Sequence, residues 1–150
     1  MRAAGTAFAL ASRQARESVP YEAGGILVGW REAQHILVSD FLEIPDHQAT
    51  RRAYKRRHSL ASDVLANYLA NADGNIAGYI GEWHSHPEST PASARDVASI
   101  RAIARNIRAP IALVVLMVDP TGNSVLVDAR IARHSWSGRR AVSPVPFVTD

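Results

Sequence analysis

The sequence predicts an α+β domain, α/β/α layered with a mixed central sheet, and three observations carry that expectation. Apolar runs of strand length are interspersed with segments whose apolar residues recur at helical spacing. Sharp turn signals, Asn71–Asn75 and Asp119–Asn123, divide them. The chain has 150 residues, 47% hydrophobic and 21% charged, enough for one core and too few for two ordinary domains.

The elements follow in order. Thr6–Ser18, rich in Ala and Arg, predicts a helix that Pro20 ends. Gly24–Trp30 reads as a buried strand and Gln34–Glu43 as its hairpin partner across the polar turn Arg31–Ala33. Residues 44–58 lack any period and contain Pro45, which predicts an irregular arm. Ser59 is expected to cap a helix carrying Leu60, Val64, Leu65, Tyr68 and Leu69 at helical spacing. Ile76–His86 is the next strand. A helix over Ser93–Arg108 aligns Val97, Ile100, Ile103, Ala104 and Ile107 on one face, with Pro110 barring its extension. Ile111–Val118, apolar throughout, predicts a central strand, and Ser124–Ala132 its antiparallel neighbour. The expected total is about five or six strands with two or three helices. Residues 1–136 form the expected domain, and 137–150, polar and Pro-bearing, a C-terminal tail.

Composition excludes several classes. With no cysteine there is no disulfide scaffold, thiolate nucleophile or Cys-ligated zinc finger, so a metal must rest on the six histidines and the acids. No apolar run approaches the roughly 20 residues of a membrane helix, and Arg13, Arg16 and Glu17 fall where a signal peptide would be cleaved. The expected location is cytoplasmic, with no membrane partner. The net charge of +3 is almost wholly arginine, because Lys55 is the single lysine.

Chemistry concentrates in Gly81–Asp96, GEWHSHPESTPASARD. Residues two apart on a strand face the same way, with Cα atoms about 6.5–7 Å apart, so His84 and His86 can address one metal while Trp83 and Ser85 face away. Pro87 breaks the strand, and a helix beginning at Ser93 returns Asp96 towards the imidazoles. Two histidines and one aspartate leave a fourth position for water, the pattern of a catalytic zinc site. The same residues also have a purely structural reading, since strand-end histidines are common and Ser93 with Asp96 approximates a capping box. Glu82 shares the strand face of His84 and His86 and competes, on spacing alone, as base or ligand.

His84, His86, Pro87, Ser93 and Asp96, with Glu22 before Gly24-Gly25-Ile26-Leu27-Val28-Gly29, resemble the JAMM motif of the JAB/MPN metalloproteases, in particular the small bacterial members. The order of elements fits over about residues 1–135. The resemblance implies a JAB/MPN (cytidine-deaminase-like) fold and one zinc per chain. It also implies hydrolysis of the bond after the C-terminus of a ubiquitin-like protein, by deconjugation or precursor trimming. On it, His84, His86 and Asp96 are ligands, Glu22 the general base and Ser93 the oxyanion donor. The loop Pro87–Ala92 is one residue shorter than the family's usual spacing, with Ser93 and Asp96 shifted together.

Arg51, Arg52, Lys55, Arg56 and Arg57 form the one dense basic cluster. Its bland reading is a solvated loop. Its functional reading assigns Arg51, Arg52, Arg56 and Arg57 to docking an acidic or carbonyl-rich surface near the site. Expected partners are a ubiquitin-like or sulfur-carrier-like protein, its conjugates, and enzymes resembling ubiquitin-activating and ubiquitin-conjugating enzymes, as in CBASS antiphage operons. Nucleic acid is disfavoured because Tyr54 alone offers stacking beside the basic run. Processing of a sulfur-carrier protein's C-terminal tail, with the same zinc chemistry, is the alternative the resemblance leaves open, and a metal-free MPN scaffold is the rival from another class. His35, His47, His58 and His134 are read as ordinary polar residues, and Trp136 as a cover for a core edge.

Overall fold

A computed structural model describes residues 1–33, 35–72, 76–133 and 142–150. In chain order these form β1 (Arg2–Ala3), α1 (Gly5–Ser18), β2 (Gly24–Glu32), β3 (His35–Glu43), α2 (His58–Asn71), β4 (Gly78–His86), α3 (Ala94–Ile107), β5 (Ile111–Val118), β6 (Val125–Ala132), β7 (Val142–Pro144) and β8 (Val148–Thr149). Every element read from periodicity is present. The sheet has eight strands rather than five or six, because β1, β7 and β8 are too short for any period to announce them.

The strand order is β7-β6-β5-β4-β2-β3-β1-β8. β4 runs parallel to β5 and β1 parallel to β3 and β8, while the other pairs are antiparallel, so the sheet is mixed as expected. Residues 142–150 are not free: β7 pairs with β6 at one edge and β8 with β1 at the other. Pro144 and Val148 are at most about 14 Å apart along the chain. The sheet must therefore curl until its two edges approach each other. Residues 137–141 of the expected tail, with His134 and Trp136, lie outside the described residues.

Helix α1 fills the hollow of the curl. Its Ala7, Ala11 and Ala15, spaced at four, present a smooth stripe that lets the helix axis sit close to Leu27, Phe41, Trp83 and Val114. Trp83 is fully buried and meets Phe41 edge to face at 6.1 Å. On the opposite face, Ile100 and Ala104 of α3 pack on Leu113, Val115 and Ala132, and Ala61 of α2 packs on Ile26, Val28 and Ile44. Each buried aliphatic side chain is worth about 1.5–3 kcal/mol, so α3 and the residues of its first turn are firmly seated. Helix α2 begins two residues earlier than expected. Its cap position is Arg57, without a side-chain cap, and Ser59 lies inside the first turn. Among the described residues no helix is long and apolar enough to cross a membrane.

The pairing of β2 with β4 slips by one residue between Leu27 and Val28. A bulge of this kind re-phases a strand, and Tyr79 and Glu82, three apart, consequently share a face: the Tyr79 hydroxyl donates to Glu82 Oε1 at 3.3 Å. At the far end of β2, Gly24 pairs with His84, and a Cβ there would lie 2.7 Å from the Trp83 carbonyl and 2.7 Å from the Tyr54 ring. Glycine is what lets the arm 44–57 close over the end of β4.

Candidate metal centre

Strand alternation turns His84 and His86 to the face that α3 covers, and both are buried. Their Nε2 atoms stand 3.1 Å apart. Asp96 arrives from the first turn of α3, whose start is set by a complete capping box: Ser93 Oγ accepts the Asp96 N–H at 3.2 Å, and Asp96 Oδ2 accepts the Ser93 N–H at 2.7 Å. That carboxylate oxygen lies 3.6 Å from His84 Nε2 and 3.8 Å from His86 Nε2. The capping role and the site role are thus filled by the same side chain at once.

The protonation states suit metal ligation. His86 Nδ1 donates to the Thr90 carbonyl at 2.7 Å, which leaves its Nε2 with the lone pair. Burial depresses the His86 pKa, outweighing the opposing pull of the Thr90 bond, and favours the neutral ring. Burial works against ionisation of Asp96, but the His84 ring beside it and the hydrogen bond from Ser93 hold its carboxyl well below the usual range. His84, His86 and Asp96 offer ligand atoms all within 4.8 Å of one another. A tetrahedral zinc with bonds of about 2.0–2.2 Å separates its ligand atoms by about 3.3–3.6 Å, a span the three observed distances bracket. The donor set fits zinc.

Glu22, buried in the turn after α1, places Oε1 3.9 Å from His86 Nε2, too long for a direct hydrogen bond and within reach through one water. Burial raises its pKa, His84 offsets this in part, and Asp96 raises it further. Its backbone is clasped from two sides. The Glu22 N–H donates to the Thr50 carbonyl at 3.0 Å. Next to it, Ala23 N–H donates to Ser85 Oγ at 2.9 Å while Ser85 N–H donates to the Ala23 carbonyl at 2.7 Å. Ser85 faces away from the imidazoles as expected, but what it does there was not read from the sequence. No local pattern identifies a partner 62 residues away.

Glu82 is otherwise engaged. Arg56 Nε donates to its Oε1 at 2.6 Å and Tyr79 to the same oxygen, and it is not among the residues clustered for a metal. The expected basic docking set divides. Arg51 and Arg52 line a cleft of ≈ 200 Å³ with Glu22, His86, Ser93 and Asp96, and neither guanidinium has an ion-pair partner among the described residues. Arg56 is committed to Glu82, and Arg57 sits at the start of α2 outside that cleft. Arg95, not singled out from the sequence, joins the cleft wall because it neighbours Asp96 on the first turn of α3.

The family of prokaryotic homologs of the JAB domain, Prok-JAB, matches residues 6–132. The chain belongs to this family. The curled mixed sheet with its described helices is accordingly the α+β JAB/MPN fold. This Prok-JAB chain is 33% identical over 110 residues to a CD-NTase/cGAS isopeptidase of Vibrio cholerae, covering 73% of the chain and 68% of that relative. It is 31% identical over 70 residues to a CD-NTase/cGAS isopeptidase of Escherichia coli, covering 47% of the chain and 45% of the relative, less than half of that protein. Two solution structures share the fold. One, of a protein from Desulfitobacterium hafniense, superposes with a TM-score of 0.66 at 17% identity, covering 99% of this chain and 92% of that one. The other, from Salinibacter ruber, gives 0.60 at 18% identity, covering 100% and 92%.

Proposed function

We propose that this Prok-JAB protein is a zinc-dependent isopeptidase that hydrolyses the bond after the C-terminus of a ubiquitin-like protein. The observation that carries the reading is the triangle of His84, His86 and Asp96, in which two imidazole nitrogens and an ionised carboxylate converge with the Glu22 carboxylate beside them. The isopeptidase names of the two bacterial relatives support the same class of reaction. When bound, zinc supplies the Lewis acid that polarises the scissile carbonyl and lowers the pKa of water.

His84, His86 and Asp96 hold the ion in this reading. Glu22 Oε1 takes the proton of the attacking water as the carbon–oxygen bond forms, then returns it to the leaving nitrogen as the carbon–nitrogen bond breaks. Its raised pKa suits a base that must also act as an acid. Ser93 Oγ spends a lone pair on the Asp96 N–H, which leaves its hydroxyl proton to donate to the tetrahedral oxygen, a contact worth roughly 2.7–4 kcal/mol in comparable sites. Arg51 and Arg52 steer an acidic stretch of the ubiquitin-like partner into the cleft.

The conjugate would be made by enzymes resembling ubiquitin-activating and ubiquitin-conjugating enzymes, in the cytoplasm and in an antiphage operon. Residues 1–136 would form the metalloprotease domain. Zinc per chain, measured beside hydrolysis of an isopeptide conjugate of the operon's ubiquitin-like protein, tests the reading. About one zinc in the wild type, lost in folded His84→Ala and Asp96→Ala together with turnover, is the expected result. A wild type that takes up no added zinc overturns it in favour of a binding scaffold.

A further inference from the structure

The sheet row that carries His84 continues in register through Val115 on β5 to Asp128 on β6. Asp128 therefore faces the same side as His84 and His86, two strands away and about 10 Å from them by strand spacing. Its side chain is only 12% exposed. Arg130 holds it, with Nε 3.2 Å from Oδ1 and 2.9 Å from Oδ2, and Nη2 also 2.9 Å from Oδ2. So fixed, Oδ2 accepts the Ala92 N–H at 2.9 Å.

That bond has a particular place. Residues 87–92 join the end of β4 to the start of α3. They carry the Thr90 carbonyl that orients His86, and they lead directly into Ser93 and the capping box that places Asp96. Within the segment, Thr90 N–H turns back to the Glu88 carbonyl, and Pro91 has no N–H. Among the described residues, Ala92 to Asp128 is the one hydrogen bond tying 87–92 to an element other than the two it connects. Two of the three candidate ligands thus depend for their placement on a loop that is moored to the sheet at Asp128.

We propose that Asp128 is a positioning residue for the metal centre, acting through the loop 87–92 rather than by touching metal or substrate. The inference rests on the metal-site reading above. Without its acceptor, the Ala92 N–H must turn to water, and the loop carries Thr90 and Ser93 with it. The ligand triangle then loses its spacing at two corners together. Partners of this kind, one step behind the ligands, typically alter metal affinity by about 10- to 100-fold when removed.

The test is the zinc affinity of the purified full chain, by competition with a chromogenic chelator, for the wild type, Asp128→Ala and Asp128→Asn. Asparagine keeps an oxygen for the Ala92 N–H and gives up the charge. Asp128→Ala should bind zinc about 10- to 100-fold more weakly, and Asp128→Asn should recover most of that loss. Affinity unchanged in Asp128→Ala, or equally low in both variants, overturns the proposal while leaving the metal reading intact. A wild type without zinc overturns both. Should Asp128→Ala not fold, Arg130→Ala serves instead, since it keeps the acceptor but frees it to rotate. A folded Arg130→Ala with wild-type zinc affinity reduces Asp128 to a stabilising role and overturns the proposal.

Discussion

Nε2 of His84 faces Nε2 of His86 across 3.1 Å, while the opposite nitrogen of His86 is occupied by the Thr90 carbonyl. The lone pair left on His86 Nε2 can accept a proton from His84 Nε2 at this range, or the two nitrogens can share a cation. With the Asp96 carboxylate forming the third corner, the three groups in this arrangement could hold one cation. The β4 alternation that produces it also sends Ser85 to the far face, where it secures the residue next to Glu22.

Glu22→Gln in the metal-free protein should be more stable than wild type at pH 7. The pKa of Glu22 in the folded chain lies above its ordinary value near 4.5, with burial the largest cause. Stability from its protonated form is present below 4.5 and is lost as pH rises through the raised value. Glutamine avoids that loss, so the gap in Tm should close as the pH is lowered towards 4. His86 and Asp96, whose folded pKa values are lowered, weaken both proteins alike as pH falls. Turnover should drop about 10²- to 10⁴-fold with zinc retained. A wild type more stable than the variant at pH 7 contradicts the assignment of a buried, strained charge.

Ser85→Ala should lower both stability and turnover without removing zinc. It leaves the buried Ala23 N–H without its acceptor, a cost of about 1–3 kcal/mol. It also loosens the strand end from which Glu22 projects. Thermal melts and zinc content measured on the same preparation separate this from damage to the ligands.

Glu82→Ala should keep zinc and most turnover, whereas Arg56→Ala should destabilise the fold. The pair is about four-fifths buried at both ends. Removing the arginine alone should cost more than the ~1 kcal/mol of an exposed pair and less than the ~3 kcal/mol of a fully buried one. Loss of turnover in Glu82→Ala with zinc in place would make Glu82 the base and displace Glu22 from that role.

Arg51→Glu combined with Arg52→Glu should raise KM for a ubiquitin-like conjugate and flatten the salt dependence of kcat/KM, leaving kcat nearly unchanged. Arg57→Glu combined with Arg101→Glu, both outside the cleft, serves as the control of equal charge. An equal rise in KM from both would show a diffuse field instead of local contacts.

Periodicity and spacing were enough for the helices and the longer strands and for the clustering of His84, His86 and Asp96, because both are local. A strand turns residues two apart to one side, and a capped helix start places its third residue at a known angle. Hence His84, His86 and Asp96 were legible as a group, and so were all three described helices. Glu82 and Glu22 were not separable in this way. The sequence places Glu82 on the histidine face, and only the arm that brings Arg56 to it, with the β2–β4 slip that brings Tyr79, shows its oxygen already taken. The basic cluster was visible as charge, but which arginines reach the cleft depends on how residues 44–57 fold back over Gly24.

What the sequence by itself determined, then, is the longer strands and the helices and the group of side chains gathered at the end of β4. The tertiary structure alone decided the contacts between residues far apart in the chain: Ser85 with Ala23, Asp128 with Ala92, and the two short strands of residues 142–150 with opposite edges of the sheet. Each is one or two hydrogen bonds or a two- to three-residue pairing, too small to impose a period on the sequence, and it forms only because the curled sheet has already brought its partners together.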